Sequence, residues 1–81
     1  MWLYSLELKE ILKQYGEKSF EDVRDESTKL LEYFKNSHFN SDDKLEEIIE
    51  NLQSAEDVNE FDDALEELYD WADERRVWLG L

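Results

Sequence analysis

Apolar residues recur along the chain at steps of three and four positions, which is the spacing of one face of an α-helix. Four stretches of the sequence show this spacing, and short polar segments separate them. The pattern therefore predicts helices over about residues 4–15, 20–35, 42–52 and 55–75.

Residues suited to capping helices stand at the ends of these stretches: Gly16 after the first, Ser19 before the second, Asn40 or Ser41 before the third, and Ser54 before the fourth. No linker rich in Pro, Gly or Ser interrupts the chain. We therefore expect one acidic helical domain over residues 1–81. The fold class should be all-α, a compact three- or four-helix bundle, because short connections favour antiparallel neighbours.

Both ends of the chain are apolar and aromatic, with Trp2 and Tyr4 near the start and Trp78 near the end. Such segments do not remain free in water when an apolar surface is available to them. Three arrangements are open. The ends can fold back on the core, form a short terminal strand pair, or contact a second copy of the protein.

Composition indicates a folded protein without disulfides. Of 81 residues, 41% are hydrophobic and 14% aromatic, which is too apolar for a disordered acidic tail. The absence of Cys excludes disulfides and thiolate metal sites. The start of the chain has no basic leader, and nowhere do about 18 apolar residues run together. We expect a cytoplasmic protein that makes no contact with a membrane.

The charge of the chain bears most directly on what the protein could bind. Asp and Glu outnumber Lys and Arg by 23 to 9, which gives a net charge of −14 at pH 7. The imbalance is local, because residues 1–41 have a net charge of −2, whereas residues 42–74 contain fifteen acids and the single base Lys44. Such a surface repels nucleic acid and attracts basic proteins.

The acids of the predicted fourth helix form a regular row, spaced by steps of four and three: Glu56, Glu60, Asp63, Glu67, Asp70 and Glu74. This row lies about 200° around the helix from the apolar stripe, so it should face solvent. With the acids beside it, the helix presents about one carboxylate per 3 Å, close to the phosphate spacing of one DNA strand. The acids of residues 42–50 could supply a second row. The expected partner-binding set is Asp43, Glu46, Glu47, Glu50, Glu56, Glu60, Asp62, Asp63, Glu66, Glu67, Asp70 and Glu74.

Two ordinary explanations compete with a binding role for these acids. A charged run on a helix is commonly a solvated face, and acidic charge also accompanies adaptation to high salt. Adaptation to salt does not account for a first half of the chain that is almost balanced in charge. Like-charged pairs such as Glu56 and Glu60 also oppose helix formation, which favours a use for the negative field itself.

Nothing in the sequence indicates catalysis or a cofactor. His38 is the single histidine, and no spacing fixes a nucleophile or a carboxylate beside it. The segment around Asp42 and Asp43 lacks the alternating oxygen ligands and central Gly of a calcium loop. Carboxylates on one exposed face share one environment, which does not suit a general acid and base pair. We expect no enzyme, no metal and no cofactor.

Most aromatic residues continue the helical stripes and are expected in the core: Tyr15, Phe20, Phe34 and Phe61. Tyr69 and Trp71 flank the apolar stripe of the fourth helix. They are either core residues or apolar anchors beside the acidic face, where aromatic residues are favoured. Trp78 is a third candidate anchor.

The small size, the row from Glu56 to Glu74 and the acids of residues 42–50 resemble the small acidic DNA-mimic inhibitors often encoded by bacteriophages. This class includes anti-restriction proteins, anti-CRISPR proteins, and inhibitors of uracil-DNA glycosylase or of histone-like proteins. The resemblance implies a protein that occupies the nucleic-acid-binding groove of a basic protein or enzyme. It implies no direct contact with nucleic acid, and a location in the host cytoplasm if a phage encodes the protein.

Two other hypotheses remain open. The first is an adaptor, or the subunit of a homodimer, that binds through the terminal residues Trp2, Trp78 and Leu81, in which case salt should have little effect. The second is an antitoxin-like neutraliser of a basic toxin. It differs from a DNA mimic only in its target.

Overall fold

The computed structural model describes residues 2–80, in which four helices and two short strands are present. In chain order these are β1 (Tyr4–Ser5), α1 (Leu8–Leu12), α2 (Phe20–His38), α3 (Asp43–Ser54), α4 (Val58–Arg75) and β2 (Val77–Trp78). The fold is a small helical bundle, which confirms the predicted fold class. The terminal strand pair, one of the open arrangements, is present.

One apolar core lies between the helices. α3 packs against both α2 and α4, while α1 packs against α2. The largest fully buried apolar side chains come from all four helices: Leu8, Val23, Leu31, Leu45, Ile48, Leu52, Phe61 and Leu68. Each contributes about 1.5–3 kcal/mol on burial. Phe34 is buried as predicted, but Tyr15 and Phe20 are only partly buried and lie at the edge of the core.

Aspartates cap two of the helices. α2 begins after Ser19 as predicted, but α3 and α4 begin after Asp42 and Asp57 and not after the predicted Asn40, Ser41 or Ser54. Each aspartate carboxylate accepts a hydrogen bond from the backbone N–H three residues further on, at 3.0 Å for Asp42 and 2.9 Å for Asp57. A carboxylate satisfies a free N–H and also interacts favourably with the helix dipole.

The two ends of the chain lie side by side as a parallel strand pair. Tyr4 is opposite Val77 in the pairing of β1 with β2. The backbone N–H of Leu6 then donates to the carbonyl oxygen of Trp78 at 2.7 Å, which extends the pairing towards α1. α1 is therefore shorter than the predicted helix, because the residues before it make hydrogen bonds to β2 in place of helical ones.

The chain turns from α4 into β2 at Arg76. This residue has a φ of 59° and is the C-cap of α4, where it adopts the left-handed conformation. Such a conformation costs a residue other than Gly about 1–2 kcal/mol. The turn directs β2 back beside β1, so the hydrogen bonds of the strand pair offset this strain.

Asp42 connects two helices of the bundle. One oxygen of its carboxylate caps α3, and the other accepts a hydrogen bond from Trp71 Nε1 at 3.2 Å and pairs with Arg75 Nε at 3.4 Å. The Trp71 ring packs edge-on against Phe39, with ring centroids 5.0 Å apart. Asp42 therefore joins the start of α3 to the end of α4.

We predict that Asp42→Ala destabilises the protein by about 2–3 kcal/mol, because it removes a helix cap, an indole hydrogen bond and an ion pair together. Asp42→Asn keeps a residue that can cap and should cost about 1 kcal/mol. Urea unfolding measures both free energies. Asp43→Ala, which changes an exposed neighbour with no such contacts, should cost about 0.5 kcal/mol or less. Equal stability of the two alanine variants would contradict this role for Asp42.

Candidate acidic interface

α4 has one buried face and one face covered with carboxylates. Its buried residues are Phe61, Ala64, Leu65, Leu68, Trp71 and Ala72. The acids on its other side fall into two rows. Row A consists of Glu60, Asp63, Glu67, Asp70 and Glu74, and row B consists of Asp62, Glu66 and Asp73; all of these side chains are exposed. At about 100° per residue, the centres of the rows are about 100° apart, and each lies about 120–140° from the buried face.

The two rows border different parts of the bundle. Row A lies on the α3 side, where Glu67, Asp70 and Glu74 surround a shallow cavity together with Lys44. Row B lies on the side of the chain ends, where Asp73 lines a cavity together with aromatic residues of the termini. Lys44 thus moderates the negative field near the end of row A.

The twelve acids of the predicted partner-binding set are all exposed. In the part of the chain that the structure describes, none of the twelve forms an ion pair, since the acids that do are Glu10, Asp25, Glu26 and Asp42. Exposed carboxylates without a paired cation leave their negative field available to a partner. This region of the surface therefore attracts cations.

The acids of α3 do not form one row beside α4. Glu46 and Glu50 lie on the α2 side of α3, where they line a groove that also contains Lys35. Asp43 lies in another shallow cavity, with His38 at the end of α2. The sequence left a second row open as a possibility; Glu46 and Glu50 lie on the side of α3 that is turned towards α2, because residues one helical turn apart share one side of a helix.

Glu56 precedes α4 and is not part of that helix, which begins three residues later than predicted. Its backbone N–H donates to Glu60 Oε2 at 2.8 Å. This bond and the cap made by Asp57 together satisfy two backbone donors at the start of α4. Glu56 therefore extends the negative surface beyond row A from a capping segment.

Of the two alternatives that the sequence left open for Trp71, core residue or apolar anchor, the structure shows the first. Trp71 is only 3% exposed, and its indole N–H is bonded to Asp42, so it belongs to the core and cannot anchor a partner. Tyr69 is half-buried, and Trp78 is 41% exposed. These two remain accessible and lie beside row B.

Two residues outside the predicted partner-binding set lie with these aromatics, although the sequence had grouped Trp2 with Trp78 at the chain ends. Trp2 and Asp73 line the same cavity as Tyr69, Trp78 and Leu79. The pairing of β1 with β2 brings Trp2 to α4, and no local pattern in the sequence could have indicated that contact. Asp73 could have been found, since it is one of the acids of the fourth helix.

Two tyrosines near row B have altered ionisation. Burial raises the pKa of Tyr15 to about 12, and the charges of Asp62 and Tyr69 add to this shift. Burial also raises the pKa of Tyr69, with a further contribution from Asp62. The Tyr15 hydroxyl is buried and has no hydrogen-bond partner within residues 2–80. The charge of Asp62 therefore acts on the ionisation of both tyrosines.

Within residues 2–80, no three Asp, Glu or His side chains come together in a way that could bind a metal ion. None of the helices in the described part of the chain has the length and apolar character needed to span a membrane.

The fold and this surface define a small helical bundle with an acidic helix face. No family model, no curated protein and no solved structure matches the chain. The likeness to DNA-mimic inhibitors therefore remains a hypothesis that rests on the layout of charge.

We predict that the protein loses stability between about pH 10 and pH 12 because of Tyr15. Its pKa is about 12 in the folded protein against an ordinary value of 10.0, so the folded state binds the phenol proton more tightly. This contribution is fully present below about pH 10 and is lost as the pH rises towards 12. Chemical unfolding at several pH values measures it.

Tyr15→Phe should make this loss of stability smaller, and it should remove one late phenolate transition from an ultraviolet absorbance titration. Tyr33→Phe, at a tyrosine that is 74% exposed, is the matched control and should leave the loss unchanged. If wild type and Tyr15→Phe lose stability equally over this range, Tyr15 is not the group responsible.

Proposed function

We propose that the protein is a DNA mimic whose α4 face occupies the nucleic-acid-binding groove of a basic protein and inhibits it by competition. One observation supports this proposal most. Eight exposed carboxylates, none of them in an ion pair within residues 2–80, lie on one helix of 18 residues. A groove that binds phosphates through Lys and Arg would attract this surface by the same forces.

The density of charge on α4 is similar to that of a nucleic acid. From Glu60 to Glu74 the helix rises about 21 Å, which gives about one carboxylate per 2.6 Å. A DNA strand has one phosphate per about 3.4 Å, and the duplex has one charge per about 1.7 Å. The α4 face falls between these values, so it can replace a short length of phosphate backbone.

Rigidity distinguishes this surface from an acidic tail. The buried face of α4 holds the helix against the bundle, so the backbone that carries rows A and B is ordered before a partner arrives. Ordering a disordered segment on binding reduces affinity, because the chain loses conformational freedom at that moment. A preformed row avoids this cost.

The field is strongest away from Lys44. This lysine lies among Glu67, Asp70 and Glu74. The beginning of row A and all of row B lie within residues 58–74, where α4 contains no lysine or arginine. We therefore infer that the first half of α4, together with Glu56, meets the most basic part of the partner.

The first test neutralises the face without removing the helix. Glu60, Asp63, Glu67 and Asp70 are changed together, Glu to Gln and Asp to Asn. The control changes Glu7, Glu10, Glu17 and Glu21 to Gln, which alters net charge equally but lies in the balanced half of the chain. Partners are captured from a cell lysate at low salt, and the affinity of each variant for the purified partner is measured.

We expect the α4 variant to bind at least about 100-fold more weakly, and the control to change affinity by only a few fold, since close charge pairs across an interface carry much of the coupling energy. Affinity should fall steeply with salt, because exposed charges are screened over about 8–10 Å at physiological ionic strength. Duplex DNA or RNA should displace the protein from its partner. Equal affinities for both variants, or a partner that binds nucleic acid and this protein together, would exclude the proposal.

A second candidate function is supported by the exposed terminal aromatics. Trp2 is 54% exposed and Trp78 is 41% exposed, which is unusual for such large apolar side chains. They would suit an adaptor or the subunit of a homodimer. Leu81, which the sequence groups with them, lies outside the described residues. An antitoxin-like role would use the α4 face and would differ from DNA mimicry only in the partner that is captured.

For the adaptor or homodimer, we expect association that salt does not weaken and that Trp78→Ala abolishes. Sedimentation velocity at low and high salt measures the oligomeric state of the wild-type protein and of Trp78→Ala. Tyr33→Ala, at an exposed aromatic residue on the outer side of α2, serves as the control and should not change it. A wild-type protein that remains monomeric at all concentrations would exclude the homodimer.

A further inference from the structure

Aromatic side chains from three segments of the chain line one cavity at the end of the bundle. Trp2 comes from the segment before β1, Tyr69 from α4 and Trp78 from β2, and Asp73 and Leu79 complete the lining. Trp2 and Trp78 are each about half exposed, and Tyr69 is half-buried. The cavity therefore offers aromatic rings and a carboxylate together, and it opens to solvent.

The charges around this cavity favour a cation. Asp73 lines it directly, and Asp62 lies close enough to Tyr69 to contribute to the raised pKa of that phenol. Two positive residues lie nearby: Arg76 shares a neighbouring cavity with Trp2, Asp73 and Glu74, and the backbone N–H of Lys9 donates to the carbonyl oxygen of Leu79 at 3.3 Å. Carboxylates therefore outnumber cations around the cavity.

The aromatic rings of the cavity are not covered by the protein's own cations. Within residues 2–80, the cation–π contact is made by Arg24, which lies over the Phe20 ring at 5.6 Å from the ring centroid. Both residues belong to the start of α2 and neither lines the cavity. Trp71 differs from the other two tryptophans, because its indole N–H is bonded to Asp42 inside the fold. Trp2 and Trp78 thus keep ring surface that a ligand can reach.

A guanidinium group suits this combination better than an ammonium group. The face of an aromatic ring attracts cations, and a planar guanidinium can stack on that face while it donates two parallel hydrogen bonds to one carboxylate. An ammonium group is compact and more strongly hydrated, so it gains less from ring stacking. We propose that this cavity is a binding site for an arginine side chain, which contacts the indoles of Trp2 and Trp78 and pairs with Asp73.

This site goes beyond the proposed function and does not depend on it. The cavity lies on the row B side of α4 and none of its lining residues belongs to row A, so it should bind a small arginine derivative whether or not the α4 face meets a partner. In a complex it would take one exposed arginine of the partner. The alternative occupant, a second copy of this chain, is an outcome of the test.

The test uses nuclear magnetic resonance of the full chain, which contains three tryptophan indole N–H groups. The protein is titrated with N-acetyl-arginine amide, with the corresponding lysine amide, and with the neutral citrulline amide. The indole signals of Trp2 and Trp78 should move and saturate with the arginine derivative, while that of Trp71 stays in place. The lysine derivative should bind at least about 3-fold more weakly, and the citrulline derivative should not saturate.

Two pairs of variants assign the binding to the cavity. Asp73→Asn should weaken arginine binding about 3- to 10-fold, whereas Glu67→Gln, an equal charge change in row A, should alter it less than about 2-fold. Trp2→Ala should weaken it by a similar factor, with Tyr33→Ala as the control at an exposed aromatic residue elsewhere. Chemical shifts of the core methyl groups verify that each variant is folded.

Several results would overturn the arginine site. These are equal binding of the arginine and citrulline derivatives, equal effects of Asp73→Asn and Glu67→Gln, or lysine binding as strong as arginine binding. Indole signals that respond to protein concentration and not to arginine would assign the surface to self-association instead. The row A variant that tests the DNA-mimic proposal should still bind arginine, so the failure of either idea can be recognised separately.

Discussion

The burial of one face of α4 is the interaction on which the rest of the structure depends. Four pairs of acids lie four residues apart within this helix, and at about 0.2–0.5 kcal/mol each their repulsion costs about 1–2 kcal/mol. Burying Phe61, Leu65 and Leu68 contributes at least about 5 kcal/mol. Packing therefore wins over repulsion, and a helix that would be unstable in isolation is held with its carboxylates directed to solvent.

The fold could be predicted from the sequence wherever the apolar spacing was long and regular. α2, α3 and α4 carry such spacing and were found close to their true positions. α1 was predicted too long, because hydrogen bonds to β2 compete with helix formation before Leu8, and pairing between residues more than seventy positions apart leaves no local signal. The caps at Asp42 and Asp57 were missed because several neighbouring residues could cap equally well.

The candidate site could be predicted in part. The acids that follow from one helix were predictable, whereas the side chains whose direction depends on packing between helices were not. Row A and row B follow from the periodicity of a single helix, which a sequence specifies directly. The side of a helix that borders its neighbour depends on packing, so the direction of Glu46 and Glu50 towards α2 was not foreseen. Trp71 was ambiguous in the sequence for the same reason, and its bond to Asp42 makes it a core residue.

The parallel pairing of β1 with β2 gives the protein an order of assembly. The helices can pack against one another as soon as they have left the ribosome. β1, however, has no strand to pair with until Val77 has been made. Trp2 and Trp78 meet only through this pairing. The aromatic cavity therefore requires residues from both strand segments, and a chain cut before Val77 would keep the residues of the acidic helix but lack the cavity.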